Sequence, residues 1–130
     1  MASAAGPGSA NPLVAELRRS GLITGLVLHY VAVEPCYGNQ LMERIVALTS
    51  GALAVNPNTM YPLLRSLEAR GLIVGEWEHA DRRSRRFYSI TPAGEDERRR
   101  LAAAIAPDLD VISSMIELIR GELLAGGWRP

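Results

Sequence analysis

The stretch from Asn56 to Ile73 (NPNTMYPLLRSLEARGLI) leaves little choice of local structure: it reads as a helix with both ends marked. The side chain of Asn56 can accept from an otherwise unpaired N–H of the first turn. Pro57 falls at the first helical position, where its missing N–H costs nothing. Gly71 supplies the left-handed residue that commonly closes a helix. Met60, Leu63, Leu64 and Leu67 keep the i, i+3, i+4, i+7 spacing of one buried stripe. The opposite face carries Asn58, Pro62, Arg65, Ser66 and Ala69, with Thr59 and Tyr61 at its edges. That face is polar and low in relief, a shape that fits a groove.

The sequence after Gly71 changes period. Leu72 to Glu78 and Arg86 to Thr91 are rich in strand formers. Between them lies His79-Ala80-Asp81-Arg82-Arg83-Ser84-Arg85, a polar loop dense in Arg. Helix, Gly, strand, basic tip, strand is the order of a winged helix. Before the central helix, Tyr37-Gly38-Asn39-Gln40 opens another, with Leu41, Met42, Ile45 and Leu48 facing inward and Thr49-Ser50-Gly51 ending it. Two helices joined by the loop Ala52 to Val55, the second with a polar face, make a helix-turn-helix.

These segments carry a family resemblance. Tyr37-Gly38, the run Asn56 to Leu64, Leu67-Glu68, Gly71-Leu72-Ile73, Arg85 to Thr91 and then Gly94 resemble the PadR family of bacterial transcriptional regulators. The resemblance runs from about Leu17 to about Ile119, and the combination in this order is specific where any one piece is weak. It implies a mainly α fold with a small β-hairpin, a winged helix-turn-helix followed by one C-terminal dimerisation helix, as in the shorter members. It further implies a cytoplasmic homodimer on a near-palindromic operator in double-stranded DNA, usually a repressor. Some members release DNA on binding phenolic or multidrug ligands. An apolar space between the paired last helices and the first helix would serve that purpose, with Leu26, Tyr30, Leu101 and Ile105 as candidate lining. Some drug-binding relatives place a Trp in the last helix to stack on flat ligands; here the matching region is Ala104-Ile105-Ala106-Pro107.

Two groups of residues are assigned to DNA. On the central helix, Arg65 suits a guanine edge in the major groove, while Asn58, Thr59, Tyr61, Pro62 and Ser66 surround it near bases or phosphates. In the wing, Arg82, Arg83, Arg85 and Arg86 can neutralise backbone phosphates. Tyr37 is placed to touch phosphate from the preceding helix or to staple that helix. Charge agrees in sign: the chain is formally neutral, but residues 56–91 hold six Arg against four acidic residues, and residues 92–130 five against seven. Every basic residue is Arg, whose planar fork donates twice to a phosphate or a guanine.

At 130 residues the chain is expected to form one domain, and an apolar share of 48% argues against disorder. Residues 1–10 are small and read as a disordered segment, with no signal-peptide pattern. Residues 11–91 form the winged-helix domain, its first helix opening at Asn11-Pro12 and running to about Val33 across Gly21 and Gly25. Residues 92–125 form the last helix, kinked or broken near Pro107, and residues 126–130 fray. Leu101, Ile105, Leu109, Ile112, Ile116, Ile119 and Leu123 are spaced close to a heptad seam, which with Leu13 and Leu17 is assigned to a dimer interface. The alternative for the seam is packing on the first helix of the same chain.

No phosphate-binding Gly-rich loop, metal-binding run or Ser/His/Asp order is present, so neither an enzyme nor a cofactor or metal is expected. Cys36 has no disulfide partner and reads as a small buried hydrophobe, and the apolar run Leu22 to Val33 is far short of a membrane span. A winged helix can also be a protein-interaction module without specific DNA binding. The clustered wing Arg residues are the feature that separates the two readings.

Overall fold

The computed structural model describes residues 21–79, 81 and 84–124. Leu13, Leu17, Arg82, Arg83, the Asn11-Pro12 helix start and the two terminal segments lie outside the described residues. The element order is α1 (Leu22–Val33), β1 (Cys36–Tyr37), α2 (Gly38–Leu48), α3 (Pro57–Ala69), β2 (Ile73–Trp77), β3 (Arg86–Ile90) and α4 (Pro92–Leu124).

α3 has the ends its sequence marks. Asn56 accepts from the Thr59 N–H at 3.1 Å, Pro57 opens the helix, and Gly71 lies at φ 76° just past its end. Met60, Leu64 and Leu67 are fully buried, and Leu63 is half-buried at the stripe's edge. α2 presents Leu41 and Ile45 to the same core. Leu48 was expected beside them but is exposed, because the chain turns away through Ser50 and Gly51, both in the left-handed region. The Thr49 hydroxyl joins that turn to the next loop, meeting Ile45 O at 3.0 Å and accepting from the Leu53 N–H at 2.9 Å. Leu53 and Val55 are thereby set into the core.

The strands form an antiparallel sheet of order β1-β3-β2. β2 and β3 are the wing hairpin, paired from Ile73↔Ile90 to Trp77↔Arg86. β1 is an addition to the sequence expectation: Cys36 and Tyr37 pair with Tyr88 and Phe87. This short strand fastens the start of α2 to the wing. Val27, Leu28 and Val31 of α1 complete a core that, among the described residues, is almost wholly aliphatic, with Tyr88 its one aromatic member.

Two expectations for the helices are corrected. A helix continuous across Gly21 is not seen, since Gly21 sits at φ 89° as the residue before α1. Of the kink or break expected at Pro107, the break is absent: α4 is one helix of 33 residues with Pro107 inside it. A proline removes one backbone hydrogen bond, and the helical turns on either side continue the helix past it. α4 is seated at its start. Thr91 Oγ1 lies 2.7 Å from Gly71 O, to which it donates, and accepts from the Gly94 N–H at 3.0 Å. A Cβ on Gly94 would lie 1.9 Å from Leu72 O, so only glycine lets the helix approach this closely.

Candidate nucleic-acid interface

The outer face of α3 is open along its length. Asn58, Thr59, Tyr61, Pro62, Arg65 and Ser66 are all exposed. Among the described residues no ion pair engages the Arg65 guanidinium. Beside it the wing, the start of α2 and α3 enclose an open groove of about 720 Å³, lined by Tyr37, Tyr61, Arg65, Glu68, Arg85 and Arg86 among others. Tyr61 leans over the start of α2, where a Cβ on Gly38 would fall 2.7 Å from its ring. Gly38 is therefore what brings the two helices of the helix-turn-helix together at this end.

The wing arginines are not equivalent. Arg86 is only 27% exposed at its side chain and is held from three sides. It pairs with Glu68 of α3, donates to Gly75 O at 2.6 Å, and lies over the Trp77 ring at 4.9 Å. It ties the far end of the paired wing strands to α3. Arg85 faces outward at 57% exposure. It covers the Tyr37 ring at 3.9 Å and bonds Glu78 through Nη2 at 3.2 Å. Those bonds hold the Glu78 carboxyl below the usual carboxylate range. The tip closes where the His79 N–H donates to Ser84 Oγ at 2.9 Å.

Sequence reading named Gly38 and Glu68 only within the family resemblance, and assigned neither these nor Glu78 and Trp77 to the interface. For Glu78 there was a signal: strand alternation in a hairpin sets it opposite Arg85, and its N–H donates to Arg85 O at 2.7 Å. For Glu68 there was none, because its partner is in a different element.

Away from the groove, α1 and α4 enclose a smaller apolar cavity of about 210 Å³, lined by Leu22, Gly25, Leu26, Leu101 and Ile105 among others. Three of the residues named for an effector are there. Tyr30 is not; its ring meets His29 edge-on and lies under Arg44. Of the seam residues, Leu101, Ile105 and Ile112 are half-buried, whereas Leu109, Ile116, Ile119 and Leu123 are exposed. Among the described residues no cluster of His, Cys, Asp and Glu could hold a metal ion, and no helix is long and apolar enough to cross a membrane.

A helix-turn-helix, a hairpin beside its second helix and a long helix leading away define a winged-helix protein of the regulator type. The chain belongs to the PadR-like family of transcriptional regulators, whose family model matches residues 27–100. It is similar to Transcriptional regulator Rv3488 of Mycobacterium tuberculosis, 41% identical over 68 residues that make up 52% of this chain and 61% of that protein. The chain thus spans less than two thirds of the length of that curated relative. A PadR family transcriptional regulator from Eggerthella lenta is 33% identical, with a TM-score of 0.62 over 81% of this chain and 89% of that one. A transcriptional regulator from Clostridium thermocellum shares the fold at 21% identity, with a TM-score of 0.66 over 76% of this chain and 96% of that one. These matches answer the question of catalysis: the family is one of regulators, not enzymes.

Proposed function

We propose that the protein is a cytoplasmic, sequence-specific DNA-binding repressor that acts as a homodimer on a near-palindromic operator. The observation that carries this reading is Arg65, an exposed cation with no ion-pair partner among the described residues, at the middle of the outer face of α3 and beside the wing. It reads base edges in the major groove, with Asn58, Thr59, Tyr61, Pro62 and Ser66 around it. Arg82, Arg83 and Arg85 meet phosphates, and Tyr37 assists from the start of α2. Arg86 holds the wing against α3, and its bonds to Glu68 and Gly75 support that role over phosphate contact.

Leu13 and Leu17 join the α4 seam in the dimer. Exposed Leu109, Ile116, Ile119 and Leu123 support a second copy as the cover. The two copies of α3 then lie about 34–36 Å apart, one turn of duplex. The cavity between α1 and α4 is the candidate effector site, for a small apolar or aromatic compound.

One observation favours the rival reading of a protein-interaction module. Both described wing arginines are answered by carboxylates of the same chain. Titration of DNA at several salt concentrations separates the two. Arg65→Ala should weaken operator binding by about 1–3 kcal/mol and relax preference at one position per half-site. Arg83→Ala or Arg85→Ala should weaken all sequences alike and lower the salt slope by about 1 for each phosphate no longer neutralised. If none of these changes alters binding, the interaction-module reading replaces this one.

A further inference from the structure

Glu78 is a carboxylate set against the outward-facing Arg85 and Tyr37. Three segments meet around it. Tyr37 comes from β1, held by its ring contact with Phe87 at 5.0 Å. Glu78 and Arg85 come from the two arms of the wing. The Tyr37 hydroxyl donates to Glu78 Oε2 at 3.1 Å. Arg85 Nη2 donates to the same oxygen at 3.2 Å, and Arg85 Nε approaches Oε1 at 3.4 Å. Both groups assigned to phosphate therefore direct their donors at one carboxylate.

A carboxylate offers two oxygens sharing one negative charge. So does a phosphodiester, through its two non-bridging oxygens. The same fork of donors suits either, because the guanidinium plane recognises both in the same way. It cannot hold both at once, since the two anions repel at contact distance. The pair is also solvent-facing, with Arg85 57% and Glu78 30% exposed at their side chains, so a duplex can reach it. Arg86 is held differently: its guanidinium has a backbone carbonyl and an indole face in addition to its carboxylate.

We propose that the Tyr37 hydroxyl and the Arg85 guanidinium form a site for one backbone phosphate of DNA, and that Glu78 occupies this site until DNA displaces it. The inference rests on the DNA-binding reading above and adds an internal competitor to it. Every duplex must displace the carboxylate, whatever its sequence. Glu78 thus weakens binding to all DNA by a common factor, and only a duplex with good base contacts to α3 overcomes it readily.

The test is Glu78→Gln, which keeps the side-chain shape and an acceptor for Tyr37 but removes the charge. Binding to a scrambled duplex is titrated at several salt concentrations, beside Arg85→Ala and the double variant, with thermal melting to check the fold. Glu78→Gln should tighten binding roughly three- to tenfold and steepen the salt slope by about 1 per subunit. In the Arg85→Ala background the gain should vanish. If Glu78→Gln leaves binding unchanged or weakens it while Arg85→Ala still weakens it, Glu78 merely positions the wing. The internal competitor is then overturned and the DNA-binding reading stands. If Arg85→Ala, Arg65→Ala and Glu78→Gln all leave binding unchanged, both readings fall together.

Discussion

The winged body and the outer half of α4 use the same residues to opposite effect. In the body, Leu28, Leu41, Ile45, Leu64 and Leu67 are completely covered by neighbours in the chain. Beyond Pro107, Val111 is 67% exposed, Ile116 44% and Leu118 75%. Both regions repeat apolar residues at helical spacing, and either would read as a buried face. The difference is the presence of a second surface: α1, α2 and α3 cover one another, while most described apolar side chains beyond Pro107 are exposed. A periodic apolar stripe states that a face needs cover, worth about 1.5–3 kcal/mol for each large side chain buried. It does not state which chain supplies that cover.

Three experiments bear on this contrast, the largest expected effect first. Leu64→Ala removes a fully buried side chain from the body and should cost about 2–5 kcal/mol of stability. Chemical denaturation should give the same loss at every protein concentration, because the cover is intramolecular. A loss that shrank on raising the concentration would join body and helix into a single unit and break the contrast. Ile112→Asp places a charge in the seam and should cost about 2–4 kcal/mol of association. Sedimentation should then find folded monomer, and the melting temperature should no longer depend on concentration. A variant that stayed dimeric would remove the seam from the interface.

The smallest effect concerns pH. Burial raises the Cys36 thiol and the Tyr88 phenol above their ordinary pKa values. Folded chains keep these protons at a pH where unfolded chains have released them, so stability falls as pH rises past the ordinary thiol and phenol range. Both groups lie in the body, so Ile112→Asp should show the same alkaline decline as the parent protein. A decline confined to the dimer would place its origin in the seam instead.

The helix ends of α3 were legible because they depend on single residues with fixed chemistry. Asn56 caps, Pro57 opens and Gly71 turns, each within one helical turn of its effect. Its two faces followed from the spacing of Met60, Leu64 and Leu67. β1 was not legible, since a strand of Cys36 and Tyr37 exists only because β3 lies beside it. Gly21 read as a weak point inside a helix, whereas its backbone conformation ends the possibility of one. Pro107 read as a kink or break; the helix runs on through it, because the turns on both sides remain hydrogen-bonded. For the candidate interface, exposed cations could be named in advance. That a carboxylate of the chain occupies Arg86 could not, as Glu68 and Arg86 are brought together only by the packing of α3 on the wing.

The seat of α4 at Gly94 also fixes a ratio of movements. With 33 residues at about 1.5 Å each, the helix is about 50 Å long. Its first turn rests on the carbonyl of Leu72, at the junction of α3 and β2, with no room to slide. About that pivot, a shift of about 4 Å at the far tip corresponds to a turn of only about 5° at the base. The helix is a long arm on a short fulcrum: a coarse displacement at its tip arrives at α3 as a fine adjustment of angle.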